Sequence, residues 1–99
     1  MRRLAAITAL QVFAYRLSKI ADGSEWYLFG SVDRDNSSAA DVDLLILCRD
    51  ADQASGLRTA IDPDICGMPL HLSLMTYDEA KETGAVSCQR ATKIYPVTG

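Results

Sequence analysis

Two aspartates at the start of an apolar segment are the residues of this sequence best suited to chemistry. Asp41 and Asp43 open the segment 41–48, which is otherwise almost entirely apolar. Alternate residues of a β-strand share one face, so the two carboxylates are expected side by side, about 6–7 Å apart along the strand. Hard oxygen ligands at that spacing suit Mg²⁺, which binds a few carboxylates together with phosphates and water. Two unpaired carboxylates at the mouth of a buried strand would lower stability without a cation, and this mismatch predicts a functional site.

A glycine–serine pair stands upstream of these aspartates. Gly30 and Ser31 follow the aromatic and apolar run 26–29, and nine residues separate them from Asp41. A glycine lets the backbone approach a phosphate closely, because no side chain obstructs it. The Ser31 hydroxyl and the neighbouring backbone N–H groups can hold phosphate oxygens. The pair therefore predicts a phosphate-binding turn that faces the two carboxylates.

The combined pattern, Gly30-Ser31 followed after nine residues by Asp41-x-Asp43, resembles the DNA polymerase beta superfamily of nucleotidyltransferases, especially its minimal members. The resemblance covers residues 26–48 well and residues 70–79 loosely. It implies an α/β core and the transfer of a nucleoside monophosphate from a nucleoside triphosphate to an acceptor hydroxyl. It also implies that the Gly-Ser turn holds the triphosphate, while the aspartates bind two Mg²⁺ ions when the triphosphate is present.

An arginine near the turn extends this resemblance. Many minimal members carry an arginine three positions after the serine, as Arg34 does here, and the resemblance implies that it assists triphosphate binding. The neighbours Asp33 and Asp35 depart from the pattern, because the family has a small residue and a glycine at those places.

The family usually has a third metal-binding carboxylate on a later strand, and this sequence departs from that pattern. The alternating segment 70–76 predicts the strand, and Ser73 stands where the acid is expected. His71 shares a face with Ser73 and is interpreted either as a base or softer metal ligand, or simply as a polar residue on a partly exposed sheet position.

Three functions remain open on this sequence. The first is a metal-dependent nucleotidyltransferase whose acceptor is unidentified and could be a nucleic acid. The second is a catalytically degenerate nucleotide-binding module that acts through a partner protein. The resemblance makes this partner credible, because minimal nucleotidyltransferases are often encoded beside a helical partner and some act as the antitoxin of the pair. The third is a homo-oligomeric α/β domain with a decayed site.

Periodicity predicts the elements that position these residues. Apolar residues at steps of three and four predict an amphipathic helix over 4–20, ended by Asp22-Gly23. Further predictions are strands over 26–29, 41–48 and 70–76, a helix over 51–61, a helix from Tyr77 with a break at Gly84, and an edge strand at 94–95. The 41–48 strand is expected to be central, and Leu28, Val42, Leu44, Ile46 and Leu72 to be largely buried. This order predicts one α/β (α+β) domain over 1–99, with a small mixed sheet flanked by helices.

Composition limits the other classes of function. A formal net charge of −3 gives no general attraction to nucleic acid or to anionic membranes. Charged residues follow the N-terminal apolar stretch too soon for a membrane span, so we expect a cytoplasmic protein without membrane contact. Three widely spaced cysteines, Cys48, Cys66 and Cys88, lack paired ligand spacing and are interpreted as reduced thiols rather than a zinc site. The core of so short a chain is modest, which favours an oligomer or a partner chain.

Overall fold

A four-stranded mixed sheet forms the centre of the computed structural model, which describes residues 2–34, 41–62, 64 and 69–96, with the backbone alone at 2, 31, 32, 88 and 89. The strands are β1 (Glu25–Phe29), β2 (Val42–Cys48), β3 (Leu70–Thr76) and β4 (Thr92–Tyr95). Their order across the sheet is β3-β2-β1-β4. Strand β1 is antiparallel to both β2 and β4, whereas β2 and β3 are parallel. The predicted α/β class with a small mixed sheet is confirmed.

Helices cover both faces of this sheet. They are α1 (Arg2–Arg16), α2 (Ser18–Ala21), α3 (Gly30–Asp33), α4 (Ala51–Ala60), α5 (Tyr77–Thr83) and α6 (Ala85–Gln89). The single predicted N-terminal helix is divided at Leu17, and α3 is one short helical turn directly after β1. Helix α5 begins with the predicted capping box: the Thr76 hydroxyl accepts from the Glu79 N–H, and the Glu79 carboxylate accepts from the Thr76 N–H. It ends at Gly84, which has a left-handed φ of 64°.

The alternation of β2 divides the core into two layers. Val42, Leu44 and Ile46 point to one face, where they join Leu28 and apolar residues of α1, α2 and α4. Leu45 and Leu47 point to the other face, where they meet α5 and α6. Both layers exclude water from β2, which is the central covered strand that the sequence predicted.

The expected burial of Leu72 was wrong, and the exposure of Leu4 shows which side of α1 is buried. Leu72 is only half-buried, because β3 lies at the edge of the sheet and has a strand neighbour on one side alone. Leu4 is 63 % exposed, and the buried positions of α1 are instead Ala6, Leu10 and Ala14. Small residues on that side let α1 lie close to the sheet.

A buried glutamine joins α4 to the end of α2. The side-chain amide of Gln53 donates to the carbonyls of Ile20 and Asp22, at 2.8 Å each. Its side-chain oxygen accepts from the backbone N–H of Arg49 at 2.7 Å. These three bonds set the position of the crossover helix between the parallel strands β2 and β3.

No helix within the described ranges is long and apolar enough to cross a membrane. Cys48 is buried as a free thiol, as predicted. Cys66 and the side chain of Cys88 lie outside the described residues.

Candidate functional site

The strand register brings three segments of the chain together at one end of the sheet, where β1 ends and where β2 and β3 begin. Phe29, the last residue of β1, pairs with Asp43 near the start of β2. On the other side, Asp43 pairs with His71 near the start of the parallel strand β3. The turn that begins at Gly30 therefore lies beside the aspartates and the histidine, although 40 residues separate Gly30 from His71 along the chain.

Gly30 makes the closest contact in this group. Its φ of 78° lies in the left-handed region, which favours glycine. A Cβ atom built on Gly30 would overlap the Asp43 carboxylate, and would lie 3.1 Å from its Cγ and 3.4 Å from its Cβ. The Asp43 side chain thus packs directly on the Cα of Gly30, and both the backbone angle and the available space call for glycine at this position.

His71 lies between the two carboxylates. Its Nε2 is 3.1 Å from Oδ2 of Asp41, and its Nδ1 is 3.7 Å from Oδ1 of Asp43. The side chains of Asp41 and His71 are 37 % and 62 % exposed, while that of Asp43 is 23 % exposed. The group is therefore open to solvent on the His71 side and closed on the Asp43 side.

The environment of Asp43 is short of positive charge. Burial raises the pKa of this carboxyl above its ordinary value, the His71 ring opposes that rise, and the charge of Asp41 adds to it. The net direction is upward, so the anionic form of Asp43 is less stable here than in water. A cation placed beside both carboxylates would reverse this effect.

The donors present fit a hard divalent cation. Asp41 and Asp43 supply carboxylate oxygens, which are the protein ligands that Mg²⁺ prefers. Within the described part of the chain, no group of three His, Cys, Asp or Glu side chains is arranged to hold a metal ion. His71 turns a different ring nitrogen toward each carboxylate, so it bridges the two carboxylates. Neither ring nitrogen points, together with both carboxylates, at one place that a metal ion could occupy.

A residue that the sequence reasoning did not select holds the turn in place. Asp33 accepts from Nε of Arg3, at 2.8 Å through its carbonyl and 3.2 Å through its carboxylate. Its other carboxylate oxygen accepts from the Thr92 hydroxyl at 2.9 Å. Asp33 thus fastens α3 to α1 and β4, and Arg3 offsets its charge. The partners lie 30 and 59 residues away, so no local pattern could reveal this role.

The structure gives fewer contacts for the remaining residues that the sequence predicted for the site. Ser31 follows Gly30 in α3, and its side chain lies outside the described residues. Arg34 is exposed, and its N–H donates to the Gly30 carbonyl at 3.3 Å. Asp35 lies outside the described residues.

His71, and not Ser73, lies at the level of Asp43 in the sheet. Ser73 is exposed and pairs with Leu45, two residues farther along β3 than the pair that joins His71 to Asp43. In this register His71 is the β3 side chain beside the aspartates. The sequence placed His71 and Ser73 on one face of β3, and the register adds that His71 is the one level with Asp43.

Comparisons with protein-family models, with curated proteins and with solved structures give no match to this chain.

Proposed function

We propose that this chain is a metal-dependent nucleotidyltransferase: an acceptor hydroxyl attacks the α-phosphate of a nucleoside triphosphate, the α–β phosphoanhydride bond breaks, and pyrophosphate leaves. One observation carries the proposal: the Gly30 turn packs directly against the Asp43 carboxylate, with Asp41 next to it. A phosphate-binding turn and a metal-binding carboxylate pair are of use to each other only when they lie this close together.

Each residue has a role that follows from its position. The Asp43 carboxylate fills the space beside the Gly30 Cα, so a phosphate would approach the backbone of the Gly30-Ser31 turn next to that carboxylate. A phosphate bound there would lie near Asp43, and two anionic groups at that distance repel each other unless a cation lies between them. Asp41 and Asp43 would hold that cation. Bound Mg²⁺ would supply electrostatic stabilisation of the phosphate oxygens as charge develops on them.

The position of His71 favours a second candidate, a degenerate nucleotide-binding module. The β3 residue that pairs with Asp43 is a histidine and not the third carboxylate implied by the resemblance. A chain lacking that acid would bind a nucleotide and act through a partner protein, for example a helical one. The two candidates share the binding step and differ in the transfer step.

Titration calorimetry tests the shared step. With Mg²⁺ and each of ATP, CTP, GTP and UTP in turn, we expect the natural chain to bind at least one triphosphate. The double variant Asp41→Asn, Asp43→Asn should bind at least tenfold more weakly, since it loses both metal ligands. The matched control is Asp52→Asn, Glu82→Gln, which removes the same charge from exposed positions on α4 and α5. Equal binding by both double variants would refute a metal site at the aspartates.

A transfer assay separates the two candidates. Labelled triphosphate is incubated with the natural chain and Mg²⁺. The acceptors tested are the chain itself, RNA and the proteins of a cell extract. Transfer that Asp43→Asn abolishes would establish the enzyme. Metal-dependent binding without transfer would establish the binding module.

A further inference from the structure

The two edges of the sheet are built very differently. The β4 edge is short, at four residues, and its pairing with β1 contains an irregularity between Trp26 and Tyr27. The charged Lys93 lies on it, Pro96 follows it, and the Gln11 side chain of α1 donates to the Ile94 carbonyl at 2.9 Å. These are the usual features by which proteins prevent an edge strand from pairing with another chain.

The β3 edge has fewer of these features among the described residues: Pro69 stands before it, but no such feature lies within the strand. Its seven residues, Leu-His-Leu-Ser-Leu-Met-Thr, include no lysine, no acid and no proline. Its register with β2 runs without interruption from Leu70 to Thr76, and β3 pairs with β2 alone. A straight, regular edge strand of this length presents a row of N–H and C=O groups that fits the backbone of another strand.

The exposure of its leucines shows that this edge is incomplete. Leu44 and Ile46 on β2 are fully buried. Their partners at the same level of the sheet, Leu72 and Leu74, are only half-buried, although they pack against the same core. At the opposite edge, Ile94 is 3 % exposed because α1 covers it. A further strand beside β3 would place its own side chains next to the two leucines and so reduce their exposure.

We propose that β3 pairs antiparallel with β3 of a second copy of this chain, which joins the two sheets into one of eight strands. A two-fold axis through Ser73 is the arrangement that pairs all seven residues. Leu72 then lies opposite the partner's Leu74, and the reverse, on the face that belongs to the main core. On the other face Ser73 meets its own copy, and His71 meets the partner's Met75.

The strand is complementary to itself in this register. No two like charges are opposed, the paired leucines cover each other, and two serines can exchange a hydrogen bond. A strand of another protein would also satisfy the backbone groups. A second copy of β3 is the partner whose side chains the sequence supplies, and they are compatible at every pair of this register. The dimer would also place the partner chain beside His71, at the edge of the candidate site. This inference does not depend on the proposed function.

Sedimentation velocity of the natural full chain, from low to high micromolar concentration, tests the proposal. We expect a reversible monomer–dimer equilibrium. Ser73→Lys and Ser73→Glu should each raise the dimer dissociation constant roughly fivefold or more, because either one opposes two like charges at the axis. Added salt should reverse part of that loss. The matched control, Ser18→Lys on the exposed side of α2, should leave the equilibrium unchanged. Circular dichroism checks that each variant folds.

A crosslink tests the register. Ser73→Cys should form a disulfide-linked dimer under mild oxidation, because residues opposite each other at the axis bring their Cβ atoms within about 5.5 Å. Ser18→Cys and the natural chain, which carries its own cysteines, measure the background. A natural chain that stays monomeric throughout would overturn the proposal, as would a dimer insensitive to both charged variants. Weakening by Ser73→Glu alone would also overturn it, since the edge would then meet an acidic surface and not its own copy.

Discussion

The contact between Gly30 and Asp43 makes one substitution especially informative. In Gly30→Ala, the new methyl group meets two obstacles. The φ of 78° costs an L-residue about 1–2 kcal/mol. The methyl group also overlaps the Asp43 carboxylate, and forcing an added group into packed space costs about 1–3 kcal/mol. We therefore expect the free energy of unfolding to fall by about 2–5 kcal/mol, and Tm by at least roughly 8 °C in a chain of this size.

The same substitution should weaken triphosphate binding. The overlap displaces the Asp43 carboxylate from the Gly30 backbone, where the proposed phosphate and cation sites meet. Calorimetry with Mg²⁺ and the preferred triphosphate should show at least a tenfold loss of affinity in the fraction that remains folded. Chemical denaturation supplies the matching change in stability.

Gly23→Ala is the matched control. Gly23 also has a left-handed φ, 85°, and a Cβ there would lie 2.7 Å from the Cδ of Arg49. Arg49 is exposed and its long side chain can move away, so the cost should be near the backbone term alone, about 1–2 kcal/mol. Gly23 is not part of the site, and this variant should bind the triphosphate normally.

A double-mutant cycle isolates the steric term. In a background of Asp43→Ala the carboxylate is gone, so Gly30→Ala should cost only the backbone term of about 1–2 kcal/mol. An equal loss of stability from Gly30→Ala in both backgrounds would refute the steric contact with Asp43. Unchanged triphosphate binding by Gly30→Ala, with the protein folded, would refute the site.

Three further predictions address the rest of the molecule. Gln53→Leu should lower the free energy of unfolding by about 2–4 kcal/mol in urea denaturation, because three backbone groups lose their buried partner. The pKa of Glu79 lies below its ordinary value because the Thr76 N–H and hydroxyl bond to it, so its ionised form stabilises the fold at neutral pH, and this contribution is lost as the pH falls. Glu79→Gln should accordingly unfold at a lower temperature than the natural chain near pH 7, and this difference in Tm should disappear as the pH falls through the pKa of Glu79. His71→Asp should place a third carboxylate beside Asp43, which lowers Tm without metal and makes Tm rise more steeply with Mg²⁺ than in the natural chain; an unchanged response to Mg²⁺ would argue against a metal site.

Local patterns were sufficient for most of the fold. The apolar run of β2, the alternation of β3 and the capping box of α5 are each encoded within a few neighbouring residues, and all three elements appear where the sequence predicts them. Element type depends on periodicity and on end signals that the chain carries locally. The division of the first helix at Leu17 was missed, because the apolar spacing continues through it.

The sequence by itself determined which residues could do chemistry: Gly30, Asp41 and Asp43 stand out by their types and spacing. Only the tertiary structure decided how they meet. The pairing of Phe29 with Asp43 places the turn on the carboxylate, and the parallel register of β3 brings His71, and not Ser73, beside it. Register depends on how whole strands pack, and a shift of two residues keeps every side chain on the same face, so alternation alone cannot distinguish the two. The link from Asp33 to Arg3 and Thr92 could likewise not be predicted, because it joins residues that only the folded chain brings together.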